Sequence, residues 1–192
     1  MGIYDGTKGL KNAFSSAKGY ALCGYLSNPY DALSCQAIVP ATNPEKYIPC
    51  TAVVLKNGTT AGDIQSGFNP DNIYIDKVAD KDSKIDGFVM ESETNIIEQG
   101  KLEPIAQGTV QIAKIGSGSI TFLPCNEDLA GITLSTQVYW NIESGELTKT
   151  ATPDKTIALN ITILGSVVKG QKRKSNAGAI EWASCNCIQV KL

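Results

Sequence analysis

From Thr156 to Ile163 apolar and polar positions alternate strictly, with Ile157, Leu159, Ile161 and Ile163 on one side and Ala158, Asn160 and Thr162 on the other. A period of two is the mark of a β-strand with one face in a core and one in water, and no helix satisfies it. Further short segments of strand character follow closely on one another: residues 51–56, 86–91, 101–106, 110–115, 119–123, 136–142, 146–150 and 180–192. Gly, Asn, Asp or Pro separates most of them. Strands at this density predict a mainly β fold, a small barrel, tulip or sandwich. In the last segment Ile180, Trp182, Ile188, Val190 and Leu192 share one parity and Glu181, Gln189 and Lys191 the other, so the carboxy-terminal stretch reads as a docked strand.

Before Tyr47 the character changes. Asn28-Pro29, Pro40 and Asn43-Pro44 interrupt the chain, with Pro49 just beyond, and alternation is weak, which predicts an amino-terminal arm over residues 1–47 and a β-rich domain over 48–192. Within the arm, Leu10, Ala13, Phe14 and Ala17 fall at helical spacing between Thr7 as N-cap and Gly19 as the stop, predicting a short amphipathic helix. Its narrow apolar stripe must bury against the body or a neighbour. Residues 57–85, punctuated by Gly58, Gly62, Gly67 and Asn69-Pro70, read as an irregular excursion.

Charge excludes some partners. With 17 basic and 19 acidic residues the net charge is −2, so neither nucleic acid nor an anionic membrane is an expected partner. Lys172, Arg173 and Lys174 form a local basic run between Gly170 and Asn176-Ala177-Gly178, which reads as a solvated hairpin loop. No apolar stretch approaches the roughly 20 residues needed to cross a bilayer, and no signal-like core opens the chain, so synthesis in the cytoplasm is expected.

Catalytic chemistry has few candidates. The chain contains no histidine and no G-x-S-x-G elbow, which removes the usual serine hydrolase arrangement. Glu91 and Glu93 share a face if their strand continues, as paired carboxylates of a glycosidase would, but two solvent-facing acids explain them as well. Asp80, Asp82, Asp86 and Glu91 fall at calcium-loop positions, yet Lys84 and Ile85 occupy the places that need an oxygen ligand and a glycine. Gly116-Ser117-Gly118-Ser119 reads as a turn between strands. The six cysteines, at 23, 35, 50, 125, 185 and 187, lack the paired spacing of a zinc knuckle and are expected to be reduced thiols serving as small apolar residues. The chain is therefore read as a non-enzyme without metal or cofactor.

An ordered series of phrases carries a resemblance. Asp86-Gly87-Phe88-Val89 comes first, then Gly100-Lys101-Leu102 with Pro104 and Gly108. Gln137-Val138-Tyr139-Trp140 follows, with Gly145-Glu146-Leu147-Thr148, Ile163-Leu164-Gly165 and the closing Ile188-Gln189-Val190-Lys191-Leu192. Over about residues 48–192 this resembles the capsid decoration proteins of tailed bacteriophages, also called cement or head-stabilising proteins. The resemblance implies a β-barrel or β-tulip module, commonly a trimer, that binds the outer capsid surface of the virion and cements adjacent major capsid protein subunits, with a head-fibre protein as a further partner. Compact members lack an amino-terminal segment as long as residues 1–47 and the insertion before Asp86. Tyr4, Phe14, Tyr20, Tyr25 and Tyr30 are the expected partner-binding residues, because aromatic side chains in an arm give large contacts with few rotatable bonds. The alternative is a carbohydrate-binding surface module with Trp140, Trp182 or the tyrosines as stacking platforms, although both tryptophans occupy positions that look buried and aromatic residues make up only 7% of the chain.

Overall fold

The computed structural model describes residues 21–27, 34–40, 47–57, 73–91, 97–98, 101–102, 109–133, 136–176 and 179–192. Within them the fold is mainly β: a closed five-stranded barrel packs against a curled, half-barrel sheet, and no α-helix occurs among the described residues. The helix expected over residues 7–19 lies outside them.

Fifteen strands follow in order: β1 (Ala21–Leu22), β2 (Ser34–Ile38), β3 (Ala52–Asn57), β4 (Ile73–Lys77), β5 (Gly87–Met90), β6 (Ile97–Glu98), β7 (Lys101–Leu102), β8 (Thr109–Lys114), β9 (Ile120–Pro124), β10 (Val138–Asn141), β11 (Glu146–Thr148), β12 (Thr156–Leu159), β13 (Thr162–Ile163), β14 (Val168–Asn176) and β15 (Ala179–Lys191). The barrel runs β2–β4–β3–β5–β8 and closes when β8 pairs with β2 from Ser34↔Ala113 to Ile38↔Thr109. On the other side, among the described residues, β2 and β4 pair in parallel at Ile38↔Tyr74, residues far apart in sequence. A closed ring leaves no edge for unwanted pairing.

Three of these strands come from regions expected to be irregular, β1 and β2 from the predicted arm and β4 from the predicted excursion. β2 and β4 are barrel staves. β4 buries neighbouring residues Tyr74 and Ile75 on opposite faces, which erases the alternation a half-buried strand would show.

β15 organises the second sheet. Its first nine residues pair with β14, from Ala179↔Asn176 to Cys187↔Val168, and its last ones pair with β9 and β13. β1 adds to the far side of β14 in parallel. The strictly alternating run that predicted one strand is in fact two: β12 pairs with β10, and after Asn160 and Ile161 the chain changes sheet so that β13 pairs with β15. The inward parity survives the change, because Leu159 and Ile163 are both buried. The Gly116 to Ser119 segment is the expected turn, joining β8 to β9 with Gly116 and Gly118 at positive φ, where a side chain would be strained.

Two apolar cores result. The barrel interior holds Ala37, Val39, Tyr47, Val53, Ile75, Val89, Val110 and Ile112. The larger core fills the space between the outer barrel wall and the remaining sheets, where Phe88, Met90 and Ala113 meet Leu123, Trp140, Leu147, Ile188 and Val190. Trp140 meets Phe88 edge to face with ring centroids 5.0 Å apart. β5 therefore belongs to both cores, with Val89 turned into the barrel and Phe88 and Met90 turned out of it.

Candidate functional site

The basic run is a strand, and this corrects the reading of it as a solvated loop. Lys172, Arg173 and Lys174 lie in β14, where consecutive side chains point to opposite faces, so the three cations are separated. Lys172 Nζ reaches Glu146 Oε1 at 2.9 Å. Arg173 turns the other way and holds Glu91 with two bonds, from Nη2 to Oε1 at 3.1 Å and from Nε to Oε2 at 3.3 Å. Both partners are almost dry, with side-chain exposures of 10% for Arg173 and 8% for Glu91. Glu91 is thus a buried, paired carboxylate rather than a solvent-facing acid. Its sequence neighbour Glu93 lies outside the described residues.

Opposite Arg173 on β15 stands Trp182, and the guanidinium carbon sits 3.9 Å from the centre of its ring. Trp182 remains 37% exposed while Trp140 is buried at 3%, so the two tryptophans, expected to be alike, differ. The hairpin explains the placement. Asn176 pairs with Ala179, a register that sets Arg173 against Trp182 and Gly170 against Cys185.

Tyr25 is the expected partner-binding residue that falls within the described part, and it is half-buried near this ion pair. Burial raises its phenol pKa, the Glu91 carboxylate raises it further and the Arg173 guanidinium opposes both. Its placement comes from the backbone on either side. Gly24, at φ +86°, donates to the Phe122 carbonyl at 3.0 Å and accepts from the Glu91 amide at 2.8 Å, and a Cβ there would lie 2.8 Å from Pro49 Cβ. The Tyr25 carbonyl accepts from Thr121 Oγ1 at 2.8 Å. Tyr4, Phe14, Tyr20 and Tyr30 lie outside the described residues.

Beside the hairpin runs an open groove of about 660 Å³ between the barrel and the β10–β11 turn, with Pro49, Pro124, Trp140 and Ile142 among its apolar lining and Lys77 and Lys174 among its cations. On the inward side of β14 and β15 lies a cluster of thiols. Cys23 Sγ is 3.7 Å from Cys185 Sγ, while the Cys187 thiol donates to the Val168 carbonyl at 3.6 Å. Hydrogen bonds from Cys187 and Cys23 lower the pKa of Cys185 below the ordinary thiol range, and Lys172 and Lys169 add to the effect. The same contact with Cys185 drives the Cys187 thiol upward, and burial raises Cys125 to about 12. All six cysteines are free. Among the described residues no group of three or more Cys, Asp or Glu side chains is arranged to hold a metal ion, and no helix is long and apolar enough to cross a membrane.

No protein-family model, curated protein or solved structure matches this chain.

Proposed function

We propose that this chain is a structural virion protein that binds the outer surface of a bacteriophage capsid and cements adjacent major capsid protein subunits, acting as a homotrimer. The observation that carries the reading is the grouping of Tyr25, Arg173 and Trp182 at one place on the β body, with Trp182 exposed. Tyr, Arg and Trp are the residue types that dominate interface energetics when they are held in fixed geometry, since little side-chain entropy is then lost on docking. Here the Arg173–Glu91 pair and the Gly24 turn fix them. The body behind them is suited to the task, because a closed barrel sharing a wall with a second core resists deformation when the shell is under outward pressure. The ordered phrases that resemble decoration proteins support the choice of the major capsid protein as partner. Many copies at fixed lattice spacing then turn modest single-site affinity into firm attachment.

The test is direct. Purified protein mixed with mature empty shells of its own phage is expected to bind in a fixed number of copies per capsid. Trp182→Ala should weaken binding by roughly tenfold or more while leaving the fold intact. Absence of wild-type binding to those shells would overturn the proposal. The exposure of Trp182 favours a second reading, a carbohydrate-binding surface module, in which the indole face not covered by Arg173 stacks on a sugar. A glycan array separates the two, since a cement protein leaves it blank.

A further inference from the structure

The thiol cluster belongs neither to the aromatic patch nor to any catalytic arrangement, and its geometry is specific. β15 sets Cys185 and Cys187 on one face, and β14 places Gly170 directly opposite Cys185. A Cβ at Gly170 would lie 2.4 Å from Cys187 Sγ and 2.6 Å from the Ala21 carbonyl oxygen, so the absence of a side chain there leaves room for both the sulfurs and β1. Cys23 follows β1 at the sheet margin, its amide bonded to the Gln171 carbonyl at 2.9 Å, and its sulfur meets that of Cys185 at 3.7 Å. Cys23 and Cys187 have no exposure, whereas Cys185 is half-buried, so solvent reaches the trio through Cys185.

We propose that Cys23 and Cys185 form a thiol–disulfide exchange site, at which a small-molecule disulfide reacts first with Cys185 and Cys23 then resolves the adduct into an internal crosslink. In the first step the Cys185 thiolate attacks one sulfur of the incoming disulfide. A protein–S–S–R bond forms, the small disulfide's own S–S bond breaks, and one R–S⁻ leaves and takes up the proton Cys185 gave to solvent. In the second step Cys23 loses its proton and attacks the Cys185 sulfur, and the second R–S⁻ departs as a thiol. Two protein thiols are oxidised and one disulfide is reduced to two thiols, with no net change in protons. The two sulfurs need to close from contact to about 2.05 Å, a movement that falls on the turn after the short edge strand β1. Cys185 is the attacking group on two grounds: solvent reaches it, and its thiolate is favoured by neighbouring thiols and lysines. Cys187 is a poorer resolving group than Cys23, because two residues apart on an extended strand the Cα atoms are about 6.6 Å from each other, near the upper limit for a bridge. The crosslink ties the start of the described chain to the central strand of the curled sheet, and it does not depend on the capsid reading.

The experiment uses oxidised glutathione as the probe on the full chain under native conditions, followed by proteolysis and mass mapping without reduction. The expected product is a peptide pair linked through Cys23 and Cys185, with a thermal midpoint several degrees above that of the reduced protein and a return to the lower value after dithiothreitol. Cys185→Ser should abolish the link and the midpoint shift, and Cys187→Ser should keep both. An unmodified Cys185, a stable glutathione adduct at Cys185 with no link to Cys23, or a link between any other pair would overturn the proposal. Because the wild-type map alone decides the pairing, the test holds even if a serine variant fails to fold.

Discussion

The guanidinium of Arg173 gives two N–H groups to the Glu91 carboxylate and turns its flat face to Trp182. Lysine has neither the fork nor the plane, so it is not an equivalent replacement. Removing one member of a dry ion pair costs far more than the pair contributes, because the other charge is left buried without a partner. Arg173→Met is therefore expected to lower stability by about 3–5 kcal/mol in urea denaturation. The double variant Glu91→Gln with Arg173→Met should recover a large part of that loss. If the double change costs the sum of the two single changes, the groups are not coupled and this account of the site fails. Little of this was legible locally. Glu91 and Arg173 are 82 residues apart, and three successive cations near a Gly-containing turn have the composition of a water-facing loop. Only the strand period, which sends Arg173 to the face opposite Lys172 and Lys174, hints that one of the three has a different fate.

At the scale of elements, β14 works because of a residue that contributes no side chain. Gly170 lets β1 lie against β14 in parallel while Cys187 fills the space above it. In Gly170→Ala the new methyl meets a sulfur and a backbone carbonyl at well under contact distance, so β1 has to withdraw. The expected cost is about 1–3 kcal/mol, with faster amide hydrogen exchange in the peptide spanning Ala21 to Gly24. Unchanged protection there would show that β1 is held by something other than this close approach. The same element explains why the strands differed in legibility. Stretches with one wet face, such as β12 and the end of β15 from Ile188 to Lys191, announced themselves by alternation. β4 buries adjacent residues, and β2 is a five-residue strand set among prolines and asparagines, so its alternation of Cys35 and Ala37 with Gln36 is too short to stand out. What places both of them is closure of the ring through Ile38↔Tyr74, a contact that no window of local sequence contains.

At the scale of the whole molecule, β5 decides whether the barrel and the curled sheet behave as one body. Its four residues are all buried: Val89 completes the barrel interior, and Phe88 and Met90 reach outward to Trp140 and its neighbours. Gly87 fits because a Cβ there would lie 2.5 Å from the Ala113 carbonyl oxygen of the neighbouring stave β8. Losing either core exposes one side of this strand, and the barrel cannot open without removing the surface on which Phe88 packs. Unfolding is therefore expected to be a single cooperative transition, with tryptophan fluorescence, far-ultraviolet circular dichroism and calorimetry giving the same midpoint. Phe88→Ala, which empties space in the larger core, should cost about 3–5 kcal/mol. Val89→Ala, which empties space in the barrel, should cost less. Both variants are expected to shift the one transition as a whole rather than split it. A Val89→Ala protein whose far-ultraviolet signal falls in two steps, with tryptophan fluorescence following only the second, would mean that the barrel melts alone and that the shared wall does not couple the cores.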